Sequence, residues 1–155
     1  MFLQDSKSIS LFDHFHKDQL ELLNSAMEVC LFDIDDFVFE QGQLAEYLYI
    51  LYSGKATIRY KPYDGPPLTV ATIQPGGVFG WSALLGRKVY SSSAIAQEDC
   101  KCYRISKNRL ANIYNKNPEF GSILLKRLAS AVNQHGNKTY EEILALLKKG
   151  VDRRK

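Results

Sequence analysis

Apolar residues recur at two different periods along the chain, and the points where the period changes divide it into three segments. In the opening stretch SISLFDHFHKDQLELLNSAM, Leu11, Phe15, Leu22, Leu23 and Met27 fall near helical spacing. The run is interrupted at DHFHKD, so two short helices are expected, the second over residues 19–27 with Asp18 as its cap. From residue 29 to 105 the pattern becomes short β-rich runs between turn residues, with strand candidates at 38–39, 47–52, 56–60, 69–73 and 100–105. Gly54 and the DGPP at 64–67 mark hairpin turns. Many short strands at this spacing predict a sandwich or barrel.

After Ile105 the helical period returns. Ser106 caps a predicted helix with Leu110, Ile113 and Tyr114 on one side. Pro118 opens another at its first helical position, carrying Phe120, Ile123, Leu124, Leu128 and Val132. HGN at 135–137 stops that helix, and Thr139 with Glu142 forms a capping box for a last amphipathic helix through about Lys149. The apolar stripe of the Pro118 helix has two possible fates, a seam between two copies or packing on the chain's own β-segment. The expected organisation is one domain over 1–155: N-terminal helices (1–28), a β-roll (29–105), C-terminal helices (106–149) and a basic tail (150–155).

A chain of 155 residues, 45% hydrophobic, is long enough for one domain with a core. Its net charge of +3 comes from the end of the chain, where KKGVDRRK holds five of the 20 basic residues and one of the 17 acidic ones. The remainder is close to neutral and lacks the field of a nucleic-acid-binding surface, so no direct nucleic-acid contact is expected. Three cysteines and no apolar leader argue for a reducing, cytoplasmic location, and no run is long enough to span a membrane. Cys100 and Cys102 share one face of a strand, but Cys30 is distant in sequence and the histidines (14, 16 and 135) lie near the ends, so inert buried thiols are expected. With no histidine between residues 29 and 105 and no base evident beside Ser91 to Ser93, neither a metal-dependent nor a nucleophilic enzyme is expected.

Five stretches then stand out together: LF at 11–12, FEQGQLAEYLYILYSGKATI at 39–58, IQPGGVFGWSALL at 73–85, SSAIAQEDCKCYRI at 92–105 and NPEFGSILLKRLA at 117–129. In this order they resemble a cyclic-nucleotide-binding domain of the type in bacterial catabolite-activator regulators and cAMP-dependent kinase regulatory subunits. The resemblance implies a mainly β fold with flanking α, a double-stranded β-helix or jelly-roll-like β-roll of eight strands with N- and C-terminal helices. It also implies a ligand cassette, FGE followed by a short helix, whose backbone N–H groups face a cyclic phosphate.

Here the cassette reads Phe79, Gly80, Trp81, Ser82, Ala83, Leu84, Leu85. The glutamate that the family sets on the ribose falls on Trp81, and the arginine it sets on the phosphate falls on Tyr90. Candidate ligand contacts are therefore Phe79, Gly80, Trp81, Ser82, Ala83 and Leu84 in the cassette and the hydroxyls of Tyr90, Ser91 and Ser92. Arg87 and Lys88 are the candidate replacement cations. The effector is expected to be a cyclic nucleotide (cAMP or cGMP) or a different small molecule, anionic or aromatic enough to stack on Trp81. The alternative is an indole that fills its own pocket, leaving a scaffold that binds no nucleotide. The segment after HGN is too short for a winged helix-turn-helix, so output is expected through a homodimer formed by residues 118–134 or through a separate effector protein. A bound ligand would favour one position of the segment from Ser106 onward.

Overall fold

The computed structural model describes residues 10–131. A helical turn at Ser10–Phe12 and helix α1 (Lys17–Ala26) precede eight strands: β1 (Met27–Phe32), β2 (Phe37–Phe39), β3 (Tyr47–Ser53), β4 (Ala56–Tyr60), β5 (Leu68–Ile73), β6 (Val78–Phe79), β7 (Ser93–Ala96) and β8 (Cys100–Ser106). Helices α2 (Lys107–Lys116) and α3 (Pro118–Ala131) follow. The strands form two antiparallel four-stranded sheets, ordered β1-β8-β3-β6 and β2-β7-β4-β5. This is the mainly β roll with flanking helices expected from the sequence.

Strand β3, inside the first sheet, is covered on both faces, and this explains why it reads as the nearly unbroken apolar run YLYILY. Leu48 and Ile50 join Tyr103 and Ile105 of β8 in a core with the helices, where Leu23, Leu110, Leu124 and Leu128 meet them. Tyr49 and Leu51, on the opposite face, join Cys100 and Cys102 inside the roll, with Phe39, Ala56, Ile73 and Ala94 from the second sheet. The turn between β3 and β4 needs Gly54, whose φ is +94° and whose missing Cβ leaves room for the Asp99 carbonyl and Cys100.

The helical predictions hold at their starts. Ser106 accepts a hydrogen bond from the Arg109 amide at 3.1 Å, and Pro118 occupies the first position of α3. Helix α1 differs: it begins at Lys17, its cap is His16, and the Gln19 side chain accepts the His16 amide at 2.9 Å, which leaves Asp18 inside the first turn. Met27 opens β1 instead of closing the helix, so the roll begins two residues earlier than the sequence pattern suggests.

Most of the described apolar stripe of α3 is spent within the chain, and Val132 lies outside the described residues. Phe120, Leu124, Leu125 and Leu128 are buried in the helix-side core, and Ile123, 42% exposed, is left outside. A seam between two copies formed by this stripe would therefore have to do without those four side chains. Arg127 anchors the N-terminal turn to α3 through hydrogen bonds to the carbonyls of Leu11 (2.9 Å) and Asp13 (2.7 Å), with its guanidinium 4.8 Å from the centre of the Phe15 ring. The expected stop at HGN, the Thr139–Glu142 capping box, the last helix and the basic tail lie outside the described residues. Within residues 10–131 no helix is long and apolar enough to cross a membrane.

Candidate functional site

A cavity of about 530 Å³ lies between β5 and the chain from Val78 to Ser92. The sequence builds its rim from a glycine. Gly80 sits at φ +86° ahead of the single helical turn Trp81–Ala83, and a Cβ there would stand 3.1 Å from the Tyr47 carbonyl oxygen and 3.3 Å from the Tyr49 ring. Only glycine adopts this backbone shape cheaply against so close a wall. The turn then swings Trp81 and Ser82 to the cavity.

Eight of the eleven candidate contacts line the cavity: Phe79, Gly80, Trp81, Ser82, Arg87, Tyr90, Ser91 and Ser92. The other three do not. Ala83 is buried in the roll core and Leu84 in the helix-side core, because successive residues of a helical turn point to different faces. Their amides are engaged as well, Ala83 to the Gly80 carbonyl (3.3 Å) and Leu84 to the Trp81 carbonyl (2.9 Å). Lys88 is exposed outside the lining, and its carbonyl accepts the Ala45 amide at 2.9 Å.

Trp81 forms a wall of the cavity beside open space. Its indole N–H donates to the Val78 carbonyl at 3.1 Å, and the half-buried ring packs, with Leu85, against the helix-side core. One residue thus touches both the cavity and the cluster that holds α2 and α3.

Tyr90 is turned inward and is 4% exposed. Its ring stacks on Phe39 with centroids 3.9 Å apart and planes 14° from parallel. Its hydroxyl donates to the Tyr47 carbonyl at 2.6 Å and accepts the Tyr47 amide at 3.2 Å. Burial pushes the phenol well above its usual range. Of the hydroxyls expected to serve as ligand donors, this one is already committed, and Tyr90 offers the cavity an aromatic face instead. Ser82 Oγ accepts the Ser91 amide at 3.2 Å and lies 3.4 Å from Ser91 Oγ, which ties the two ends of the loop together.

The far wall was not visible in the sequence. Val70, Ala71, Thr72 and Ile73 of β5, with Phe39 and Ile58, complete the lining. β5 itself is legible as a strand, but its place over the cassette follows from long-range sheet pairing. The one local signal is that Leu68 to Ile73 carries no charge although most of it is exposed.

The cysteines come together in space. β1 and β8 pair in a register that sets Cys30 opposite Cys102, with Cys100 two residues along. Burial raises all three thiols above their usual range, most strongly Cys102, so they are held neutral. Cys100 Sγ also donates to the carbonyls of Lys55 and Glu98, each at 3.2 Å. Among the described residues no cluster of histidine, cysteine or carboxylate has the arrangement of a metal site.

Comparison with known proteins agrees with this architecture. The sequence model described as the cyclic nucleotide-binding domain matches residues 31–117. The chain is 26% identical over 157 aligned residues to the cyclic AMP receptor protein of Thermus thermophilus, covering 94% of this chain and 73% of that protein. It is 31% identical over 104 residues to the human cGMP-dependent protein kinase 2, covering 65% of this chain and only 14% of the kinase. Among solved structures, a cyclic nucleotide-binding domain from Methylobacillus flagellatus superposes with a TM-score of 0.72 at 20% identity, over 97% of this chain and 79% of that one, a likeness of fold.

Proposed function

Because the chain belongs to the cyclic nucleotide-binding domain family, we propose that it is a regulatory module that senses a small ligand in the cavity beside Trp81 and responds through its C-terminal helices. The observation that carries this reading is the cavity itself, which remains open although an indole stands where the family resemblance expects a carboxylate. Its volume falls within the range of small-molecule sites, and its lining is largely apolar with a few convergent polar groups.

Trp81 and Leu85 supply the route for a response. Both line the cavity and both pack on the core that holds α2 and α3, so a ligand that shifts the indole favours one packing of those helices over another. The output would pass to an effector protein or a second copy of the chain. The effector is a cyclic nucleotide, cAMP or cGMP, or a different small molecule. Either must manage without a cation at position 90, where Tyr90 holds Phe39 and Tyr47.

That inward packing of Tyr90 also favours a second reading, a scaffold whose pocket no longer serves a nucleotide. A thermal-shift titration against cAMP, cGMP and small anionic metabolites, confirmed by calorimetry, separates the two. At a hundred times its dissociation constant, a ligand stabilises the folded state by about 2.7 kcal/mol, a shift of a few degrees in a domain of this size. A saturable shift is the expected result, and none across the panel would leave the scaffold reading.

A further inference from the structure

We infer that the ligand is an apolar carboxylate, one anionic head on a hydrophobic body, and that Arg87 selects it. The inference rests on the ligand-sensing reading of the cavity and names the chemistry of what enters.

Among the described residues, Arg87 is the only charged one in the lining. Its side chain is exposed, and the ion pairs among the described residues, Lys55 with Glu98 and Arg104 with Glu28, do not include it. Among the described residues the cavity therefore presents one positive charge without an ion-pair partner. A cationic ligand is disfavoured, and an anion gains a planar fork of donors that matches a carboxylate in two parallel hydrogen bonds. The hydroxyls of Ser91 and Ser92 are in the same lining, and Ser82 Oγ, which accepts the Ser91 amide, shares a weak hydrogen bond of 3.4 Å with Ser91 Oγ, so that this pair has one hydroxyl proton to give outward.

A phosphate would also pair with an arginine, so the body of the ligand decides the class. Among the described residues the lining holds no aspartate, glutamate, asparagine, glutamine or histidine. A ribose would find no carboxylate for its hydroxyls, and the polar edge of a purine would meet only the hydroxyls of Thr72, Ser82, Ser91 and Ser92, with no amide or carboxylate to pair with it, and polar groups left unpaired on burial are costly. The larger apolar side chains of the lining include Ile58, Val70, Ile73, Phe79, Trp81 and Leu85. Those surfaces gain from burial against an aliphatic or aromatic body and ask nothing polar of it.

The test is calorimetric titration of the full chain with phenylacetate, 4-phenylbutyrate and octanoate, with their neutral amides, and with cAMP and cGMP. Wild type and Arg87→Met are compared, and emission of Trp81, the only tryptophan, gives a second readout. At least one acid is expected to bind saturably and its amide on the order of tenfold or more weaker, the effect of losing a charge-assisted pair. Arg87→Met should bring the acid to the level of the amide without shifting the melting curve, since the residue is exposed. Equal binding of acid and amide, or an acid preference that survives Arg87→Met, would overturn the assignment. Binding of a cyclic nucleotide with none of the acids would overturn the ligand class and leave the sensing function standing. No binding by any of these compounds would remove both.

Discussion

The Tyr90 hydroxyl donates to the main-chain carbonyl of Tyr47 at 2.6 Å while the Tyr47 amide donates back at 3.2 Å, so one buried side chain fastens the end of the cassette loop to the start of β3. Tyr90→Phe keeps the ring against Phe39 and removes both bonds, leaving a carbonyl and an amide at β3 without this partner. The variant is expected to lose about 1–3 kcal/mol of stability in urea denaturation. Ligand affinity should change little, because that hydroxyl is not available to the cavity.

Gly80 is held at positive φ against the Tyr47 carbonyl and the Tyr49 ring. Gly80→Ala adds a Cβ in a left-handed conformation at a contact of 3.1 Å, and should cost about 1–2 kcal/mol or more by the same measurement. Because the turn carrying Trp81 begins here, ligand-induced changes in Trp81 emission should weaken in parallel. Gly42→Ala makes a useful control: its φ is also positive, +90°, but nothing lies within 4 Å of the added Cβ.

Stability should fall on the alkaline side. Tyr90, Tyr49 and all three cysteines have their proton affinity raised in the folded state, in each case first by burial. The folded chain holds these protons more tightly than the unfolded one, so their contribution is complete below the unfolded values, about 8.5 for cysteine and about 10 for tyrosine. It is lost as pH rises from there toward the raised folded values. Melting temperature measured from pH 7 to 11 should show no loss from these groups up to about pH 8 and a steepening fall beyond it. Cys102→Ala should flatten the early part of that fall.

Thiol reactivity offers an independent check of the same packing. Cys30 is partly accessible and Cys100 and Cys102 are buried. A disulfide reagent at neutral pH is expected to modify Cys30 first. Modification of Cys102 should follow only at the rate at which the roll opens, and should accelerate in mild denaturant.

How much of this was legible in the sequence depended on whether the signal was local. Ser106 and Pro118 announced α2 and α3 because capping chemistry acts within one turn. β3 declared itself through a run apolar on both faces, which a strand covered on both sides requires. β1 did not, since it leaves Val29 and Leu31 exposed while Met27 is buried, so its pattern does not separate it from the helix before it. β6, two residues long, and β7, four, exist through pairing with distant strands. At the site, the cassette motif located Gly80, Trp81 and Ser82. It could not show that Ala83 and Leu84 face the cores, that Tyr90 spends its hydroxyl on Tyr47, or that β5 closes the far wall, because each depends on how the sheets fold over one another.

The central claim is that occupancy of the cavity is felt by the C-terminal helices through Trp81 and Leu85. Hydrogen exchange of the full chain, with and without saturating 4-phenylbutyrate and, in parallel, cAMP, tests it most directly. The account predicts that a compound which binds changes protection in two places, the loop from Val78 to Ser92 and the amides of α2 and α3. Binding that alters the loop and leaves both helices unchanged would contradict it.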